Sequence, residues 1–347
     1  MARIAAVTDR PSISVVIPTY QRCASVLRAL QSLADQTLSS DQDQVVVTVD
    51  GSTDGTTESV RSSAAPSALS VLSGPHRGRA RACNAGIRAA AGTLVVLLDD
   101  DMEATRDFLA GHLGAHQGSV VRAVVGAAPI VVSPEAPPFV RYMAKGFSTR
   151  LERLAQSGYR LSFRDAYTGN FSVRRDVLLG VGAFDEAFAI YGHEDYELAL
   201  RLQNAGVELT YSADALARQH YEKTFAAFAR DGIARGRTAV LFAGKHPEIV
   251  DRIKLSEYHS GARTWRVLRW LLLKLGHVTR RVPVWVVWGI GKLERWNAPR
   301  LEKFYTLAVD YLYWFGAFGA VREQRLDGAS TSISTGTSHT APVAGKQ

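Results

Sequence analysis

The stretch that decides the fold is Thr93-Leu-Val-Val-Leu-Leu-Asp-Asp-Asp-Met102. Its five apolar residues, 94–98, predict a strand that is buried on both faces, because no polar residue interrupts them. The apolar run ends abruptly in Asp99, Asp100 and Asp101. In an open α/β sheet, ligands bind in the crevice outside the carboxyl ends of the strands. The sequence therefore predicts a ligand site at these three carboxylates.

Three adjacent carboxylates repel one another, so this site needs a compensating positive charge. Mg²⁺ and Mn²⁺ prefer carboxylate oxygen and commonly share their coordination with substrate phosphates. Alternation along an extended backbone predicts that Asp99 and Asp101 lie on one side and Asp100 on the other. The alternative is a solvated strand end whose carboxylates favour the start of the next helix. This stretch alone leaves both interpretations open.

Length and cysteine content limit the class of protein. With 347 residues, the chain can form one large domain and an appendage. Its two cysteines, Cys23 and Cys83, exclude a disulfide framework, and no CxxC spacing indicates zinc. We expect a reducing compartment. Residues 1–11 lack an apolar core of signal-peptide length, which predicts a cytoplasmic protein.

The charge balance favours anionic partners. Lys and Arg number 41 against 33 Asp and Glu, a formal net charge of +8. Such a charge suits phosphates, nucleic acid or an anionic membrane. The sequence contains no helix-turn-helix, zinc-finger or RNA-recognition signature, so we expect no nucleic-acid partner.

Apolar runs separated by helical patterns predict an α/β fold. The predicted strands cover residues 13–18, 45–49, 69–72, 94–98, 168–173 and 207–211, with further strand material in 120–132. Strands alternating with helices from 13 to 101 indicate a mostly parallel sheet of the nucleotide-binding kind. Pro18 is expected to end the first strand, because proline cannot donate to a ladder. The stretch 133–167 is expected to be irregular and to cover the site.

A second acidic pair starts a predicted helix. Gly192-His-Glu-Asp-Tyr196 opens the helical pattern 194–205, which places Glu194 and Asp195 in its first turn. A carboxylate in a cleft is suited to remove a proton from a hydroxyl group. The alternative is that the helix dipole alone favours these negative charges.

Six motifs in sequence order resemble those of the inverting nucleotide-sugar glycosyltransferases of family 2. They are Ser14-Val-Val-Ile-Pro-Thr-Tyr20, Asp50-Gly-Ser-Thr-Asp-Gly-Thr56, Arg77-Gly-Arg79 with Asn84-Ala-Gly86, Leu98-Asp-Asp-Asp101, Gly169-Asn-Phe-Ser172 and Gly192-His-Glu-Asp195. The resemblance covers roughly residues 13–225. It implies a GT-A catalytic domain over residues 1–225, a nucleotide-sugar donor and Mn²⁺ or Mg²⁺ as the cofactor.

The resemblance also implies roles at the acidic clusters. Asp101 would be the principal metal ligand, and Asp99 would contact the ribose and the metal. Asp100 matches the most variable position of that motif and would lie on the donor side. His220 would contact the metal or the diphosphate; the alternative is a histidine that is satisfied in the core. Asp195 would be the catalytic base, with Glu194 beside it.

Further positions match donor-binding residues of the family. Asp50 would hold the nucleobase, while Pro18, Thr19 and Tyr20 would lie against the base and the ribose. Arg79 would reach the base or the phosphates; the alternative is a solvated helix charge. Gly169 and Asn170 would bring the backbone close to the donor sugar, since an absent side chain permits close approach. The alternative for these two residues is a strand bulge.

The C-terminal third differs in composition. Residues 226–325 form a basic, aromatic helical region, and all six tryptophans lie between 265 and 314. No apolar run reaches the roughly 18 residues of a spanning helix. Basic aromatic helices predict peripheral membrane contact through 265–315, at the inner face of the membrane. The alternatives are a packed helical appendage and a homo-oligomer. The tail 326–347 is expected to be disordered.

These inferences predict a metal-dependent inverting glycosyltransferase. The donor is expected to be UDP-linked, and the acceptor to be a hydroxyl of a glycan, a lipid-linked saccharide or another cell-envelope component. A nucleotidyltransferase is disfavoured, because Thr19-Tyr-Gln-Arg22 is not a glycine-rich basic loop. A non-catalytic saccharide-binding member of the same fold is the other alternative, although Asp101 and Asp195 are both present.

Overall fold

A computed structural model describes residues 12–38, 42–63 and 68–334, with side chains to residue 324. The chain divides into two compact units between Thr224 and Phe225. The strands of the first unit are β1 (Ile13–Thr19), β2 (Asp43–Asp50), β3 (Leu69–Gly74), β4 (Leu94–Leu98), β5 (Met102–Ala104), β6 (Arg122–Ala127), β7 (Asn170–Arg174) and β8 (Glu208–Gln219). Its helices are α1 (Cys23–Leu33), α2 (Thr56–Ser62), α3 (Arg79–Ala89), α4 (Phe108–Ala115), α5 (Pro138–Leu154), α6 (Arg175–Gly180) and α7 (Glu194–Asn204), with a 3₁₀ turn at Phe163–Asp165.

The strands form one sheet in the order β3-β2-β1-β4-β7-β6-β8-β5. The pairs from β3 to β4 are parallel, as is β6 with β8, whereas β7 and β5 run opposite to their neighbours. The predicted mostly parallel α/β sheet is confirmed. The strands β1, β2 and β4 run in the same direction. Thr19 and Asp50, which end their strands, and Asp99, which follows β4, therefore lie at the carboxyl ends of neighbouring strands.

The strand β4 lies at the centre of the sheet, between β1 and β7. All five of its residues are buried, as the uninterrupted apolar run predicts. Leu94, Val96 and Leu98 join a core with one face of β1 and β2 and with residues of α1. This buried strand holds the acidic run at the edge where parallel strands end.

The expected end of β1 at Pro18 is wrong by one residue, since the strand continues to Thr19. Pro18 pairs with Thr48 of β2, while pairing with β4 ends earlier, at Val16. One side of the strand therefore has no ladder at the proline, which makes a missing N–H tolerable there.

The expectation that 133–167 is irregular is wrong, because this stretch contains α5. The prolines that suggested a break lie at its start, with Pro138 as the first helical residue. Proline is favoured there, since the first N–H groups of a helix have no partner within it.

The last predicted strand is also longer than expected: β8 continues to Gln219 and so reaches the acidic turn.

The second unit is helical, as predicted. It contains α8 (Phe225–Lys245), α9 (Arg263–Thr279), α10 (Val282–Arg295) and α11 (Leu301–Ser334), with 3₁₀ turns at Pro247–Arg252 and Lys254–His259. Among the residues that the structure describes, no helix combines the length and the hydrophobicity needed to cross a bilayer. The disorder expected for 326–347 is wrong up to Ser334, where α11 ends; residues 335–347 lie outside the described residues.

Candidate active site

The acidic run forms a turn rather than an extension of β4. The strand ends at Leu98, and the backbone N–H of Met102 donates to the carbonyl of Asp99 at 3.2 Å. The expected alternation required an extended backbone, so it does not hold here. Instead, each of the three carboxylates has its own set of partners.

Asp99 contacts the start of α3. Its Oδ1 accepts a hydrogen bond from Nη2 of Arg79 at 2.8 Å, and its Oδ2 accepts one from the Tyr167 hydroxyl at 3.3 Å. Burial alone would raise the pKa of Asp99, but the charge and hydrogen bond of Arg79 outweigh it and lower the pKa. Asp99 is therefore a carboxylate held in its charged form by a partly buried guanidinium.

Gly169 makes room for this arrangement. A Cβ atom at this position would lie 2.4 Å from Oδ2 of Asp99 and equally close to the Tyr167 ring. The Gly169 carbonyl accepts the N–H of Asp99 at 2.9 Å. The group that lies close to Gly169 is thus the Asp99 carboxylate, and the expected approach to a donor sugar stays a prediction.

Asp100 is buried against the loop that follows β1. Its two oxygens accept hydrogen bonds from the Thr19 hydroxyl at 2.8 Å and from Nη1 of Arg22 at 2.7 Å. Burial raises the pKa of Asp100 to about 7, although Arg22 opposes the shift. Thr19 and Asp100 were expected to contact the donor. Both side chains are instead buried and engaged with each other, so we assign them to the support of the loop.

Asp101 lies between Arg22 and Gln219. Nη2 of Arg22 is 3.3 Å from its Oδ2, and Nε2 of Gln219 donates to both carboxylate oxygens at 3.4 Å. Burial and the nearby Asp99 charge raise the pKa of Asp101. The Gln219 Oε1 atom is buried and has no hydrogen-bond partner among the residues that the structure describes. An unsatisfied acceptor therefore lies beside a carboxylate, in a region where cations are favoured.

His220 follows Gln219, and its backbone N–H donates to the carbonyl of Asp101 at 2.8 Å. Its Nε2 is 2.6 Å from a carboxylate oxygen of Glu103. Within the described part of the chain, no three His, Cys, Asp or Glu side chains are already gathered into a metal site. The expected grouping of His220 with Asp99 and Asp101 is thus not preformed, because Glu103 holds the imidazole.

The available donor atoms nevertheless suit a hard divalent cation. Asp99 and Asp101 provide carboxylate oxygens, and Gln219 provides an unpaired amide oxygen. A histidine that ligates a metal commonly donates its other ring N–H to a carboxylate, which is the contact that His220 makes with Glu103. The chemistry of this donor set therefore fits Mn²⁺ or Mg²⁺.

Asp50, at the end of β2, organises the turn that precedes α3. It accepts the backbone N–H groups of Arg77 at 2.7 Å and Gly78 at 2.9 Å, and it lies 2.8 Å from Nδ1 of His76. The His76 ring stacks on the half-exposed ring of Tyr20, with 4.1 Å between centroids. Tyr20 and Asp50 thus lie in one cluster, and the partly exposed aromatic pair is its accessible surface.

Glu194 and Asp195 start α7 in different environments. Glu194 accepts the Gly192 N–H at 2.8 Å, and burial together with the Asp195 charge raises its pKa to about 7. Asp195 accepts hydrogen bonds from the hydroxyl and, at 3.4 Å, from the N–H of Thr168. The Asp195 side chain is 23% exposed, against 5% for Glu194. Asp195 is therefore the more accessible carboxylate of the pair.

Arg79 brings the two acidic clusters together. Its guanidinium is 2.8 Å from Asp99 and 3.4 Å from Asp195, and it also donates to the Thr168 hydroxyl at 3.0 Å. The solvated helix charge that was the alternative for Arg79 does not fit these contacts. Asp99 and Asp195, from the two acidic clusters, therefore contact one guanidinium.

Asn170 is part of the core. Its side-chain N–H₂ donates to the carbonyls of Ala127 and Ala215, both at 2.9 Å, and its Oδ1 pairs with Nε2 of His112. The side chain is fully buried. This side chain joins the strands β6 and β8 to α4, and the expected approach of the backbone to a donor sugar stays a prediction.

Sequence reasoning missed Arg22, Tyr167, Thr168 and Gln219. Arg22 and Thr168 lie next to recognised motifs, and that proximity was the available signal. Gln219 directly precedes the predicted metal contact His220, and the register of β8 brings it to Asp101.

Comparison with known proteins decides the family. Residues 14–181 match the model described as glycosyl transferase family 2, and residues 149–224 match the N-terminal domain of galactosyltransferase. The chain contains a glycosyltransferase family 2 domain.

Several curated proteins are similar to this family 2 chain. A validoxylamine A glucosyltransferase of Streptomyces hygroscopicus is 31% identical over 230 residues, which cover 59% of this chain and 54% of the relative. A pre-mycofactocin glycosyltransferase of Mycobacterium tuberculosis is 29% identical over 270 residues, covering 76% and 53%. The chain spans about half the length of these relatives.

Solved structures show the same fold. A mannosyltransferase from Pyrobaculum calidifontis, in complex with GDP-Man and Mn²⁺, has a TM-score of 0.61 at 22% identity, over 90% of this chain and 88% of that one. TarS of Staphylococcus aureus with UDP-GlcNAc has a TM-score of 0.51 at 15% identity, over 90% and 92%. The expected GT-A fold is confirmed.

Proposed function

We propose that this protein transfers a sugar from a nucleotide-diphosphate donor to an acceptor hydroxyl, with inversion at the anomeric carbon. The observation that carries the proposal is the position of Asp195. It shares Arg79 with Asp99 and so lies beside the acidic turn. A carboxylate that faces a donor site across a cleft can accept the proton of an attacking hydroxyl.

The donor side would use the edge where β1, β2 and β4 end. The stacked rings of Tyr20 and His76 offer a flat surface for a nucleobase, and Asp50 holds this surface in place. Arg22 and Arg79 supply guanidinium groups, whose planar geometry suits phosphate oxygens. The two solved neighbours contain GDP-Man and UDP-GlcNAc. We retain UDP as the first nucleotide to test.

Asp101, Asp99 and Gln219, with His220 beside them, would hold Mn²⁺ or Mg²⁺. A bound divalent ion offsets the diphosphate charge as the sugar–phosphate bond breaks. Burial and the nearby Asp99 charge disfavour the charged form of the Asp101 carboxyl. A bound cation would offset both effects and stabilise the carboxylate. Arg22 would then share Asp101 with the ion and remain paired with Asp100.

On the acceptor side, Asp195 would take the proton from the attacking hydroxyl. Thr168 and Arg79 bind one of its carboxylate oxygens and so fix its orientation. Glu194 is tied to the Gly192 N–H and would position the start of α7 rather than touch the acceptor. The acceptor would be a glycan, a lipid-linked saccharide or another cell-envelope component.

The test is donor turnover by the purified full chain with Mn²⁺. A panel of UDP-Glc, UDP-Gal, UDP-GlcNAc and GDP-Man, each with mixed saccharide acceptors, should release a nucleoside diphosphate from one donor. Proton NMR of the product should show the anomeric configuration opposite to that of the donor. Release of pyrophosphate would instead identify a nucleotidyltransferase. Donor binding without release would identify a saccharide-binding member of the family.

A further inference from the structure

The helix α9 buries an arginine and exposes most of its large apolar side chains. The residues that it buries are Arg269, Leu273 and Gly276. Its exposed large side chains are Val267, Leu268, Trp270, Leu271, Leu275 and Val278, with Val278 83% exposed. A helix on a water-soluble domain normally exposes its polar residues. An exposed apolar face of this kind indicates a surface that binds a membrane or another protein.

The buried side of α9 provides a partner for its buried arginine. Nη1 of Arg269 is 2.7 Å from Oδ2 of Asp310 on α11, and the Trp265 indole donates to the same oxygen at 3.0 Å. Lys254 also pairs with Asp310, at 2.9 Å. The charged residues thus hold α9 onto α11 from inside, which leaves the apolar residues outside.

The next helix, α10, exposes aromatic and branched side chains in the same way. Trp288 is 63% exposed and Val284 is 65% exposed, with Trp285 beside them. Tryptophan is favoured at the boundary between headgroups and acyl chains, where its ring is partly apolar and its N–H is polar. We call the exposed apolar residues 267–278 of α9 and 284–288 of α10 the outer face.

The helices that carry the outer face are rich in positive charge. Residues 263–295 contain eight Lys and Arg residues and one Glu. The ammonium of Lys274 lies 4.6 Å from the Trp270 ring centroid, and that of Lys292 lies 5.4 Å from the Trp288 ring centroid. A cation beside an exposed ring can reach headgroup phosphates while the ring enters the interface.

A cavity of about 320 Å³ opens between α9 and α11 at this face. Its walls include the rings of Trp270 and Phe318, and Lys274 and Arg322 supply its positive charge. Aromatic walls with two cations suit a phosphate that is attached to an apolar chain. The cavity therefore complements the headgroup region of an anionic phospholipid.

We propose that the outer face docks the protein on an anionic lipid bilayer, with a headgroup phosphate at the Lys274–Arg322 cavity. A second copy of the chain fits less well, since a two-fold contact would bring two strongly basic surfaces together. Docking needs both the apolar insertion and the charge attraction, because each alone binds membranes weakly. This property is independent of the proposed transfer reaction.

The test is co-sedimentation of the full chain with phosphatidylcholine vesicles and with vesicles that contain an equal share of phosphatidylglycerol. We expect binding to the anionic vesicles, a blue shift of tryptophan fluorescence, and weaker binding at higher salt. The double variant Leu271→Glu/Val278→Glu should bind at least about tenfold more weakly, and Lys274→Ala about fivefold. Val120→Glu, at an exposed apolar position of the first unit, is the matched control and should bind as the wild type does.

Thermal unfolding of each variant checks that it folds, since the substituted side chains are exposed. The proposal fails if the wild type ignores anionic vesicles. It also fails if the folded double variant binds them as well as the wild type. Light scattering addresses the rival occupant: a wild-type dimer that becomes monomeric in the double variant, with vesicle binding unchanged, would assign the outer face to self-association.

Discussion

The carboxylates of Asp99 and Asp195, which are far apart in the chain, bind the same guanidinium. Arg79 lies 2.8 Å from the first and 3.4 Å from the second. Asp99 follows the central strand β4, and Asp195 starts α7. This contact brings the predicted donor side next to the predicted acceptor side, as the proposed transfer reaction requires.

Asp195→Asn should abolish transfer while leaving donor binding intact. The amide keeps the shape of the carboxylate but cannot accept the proton, so we expect kcat to fall by about 10²- to 10⁴-fold. Turnover and calorimetric donor affinity, both in Mn²⁺, measure the two effects separately. Asp176→Asn, at an exposed carboxylate that pairs with Arg174, is the control. Near-normal turnover of Asp195→Asn would place the base elsewhere.

Asp101→Ala should remove the dependence of donor binding on Mn²⁺. The carboxylate is buried beside Gln219 and Arg22, and replacing it removes the proposed main ligand. Titrating the donor with and without Mn²⁺ should show an increase in affinity in the wild type and none in the variant. If Mn²⁺ strengthens donor binding equally in both proteins, Asp101 does not hold the ion.

Gly169→Ala should destabilise the protein and disturb the acidic turn. The new Cβ would lie 2.4 Å from the Asp99 carboxylate, and crowding of this kind costs about 1–3 kcal/mol. Urea unfolding measures the loss of free energy. Gly146→Ala in α5 is the matched control, because a Cβ there meets no atom within 4 Å. The control should be neutral or more stable by up to about 1 kcal/mol, since alanine favours helices over glycine. Equal stability of the two variants would contradict the close contact.

Acid should destabilise the first unit through His112. This imidazole is fully buried between Ser172 and Asn170, and burial lowers its pKa from 6.5 to about 3. A group with a lowered folded-state pKa stabilises the fold above its unfolded pKa and loses that effect as the pH falls toward the folded value. The free energy of unfolding should therefore drop between pH 6.5 and 3, by up to about 1.4 kcal/mol per pH unit from this group.

His112→Gln tests this linkage, because glutamine keeps hydrogen-bonding groups but does not titrate. We expect a less stable protein at pH 7.5 and a shallower loss of stability as the pH falls. Urea unfolding at several pH values from 7.5 to 4.5 measures the slope. His116 also pairs with Ser172, and burial lowers its pKa to about 4, so part of the acid response should persist in the variant. An unchanged slope would rule out His112 as a source of acid sensitivity.

The parts of the site that could be predicted lie where strand ends meet charged residues. The uninterrupted apolar run of β4 specified a buried central strand, and the parallel sheet then brought Asp50 and the acidic run to one edge. Helix periodicity likewise placed Glu194 and Asp195 in the first turn of α7. These features depend on local pattern and on the direction of parallel strands, both of which a sequence carries.

The contacts of individual side chains could not be predicted in the same way. Thr19 and Asp100 were expected at the donor but satisfy each other in the core, and Asn170 joins two strands to α4. Gln219 reaches Asp101 because β8 extends to the acidic turn. Each of these contacts depends on where distant segments pack.

The sequence by itself determined the family, the mostly parallel sheet and the identity of the charged residues at its edge, because hydrophobic periodicity and short motifs are local properties. Only the tertiary structure decided that Arg79 joins Asp99 to Asp195 and that α9 turns its apolar side outward. Both outcomes depend on which oppositely charged groups form ion pairs between distant segments. Removing a charged group from water at a packed interface is costly unless the group is paired, and no single segment specifies its partner.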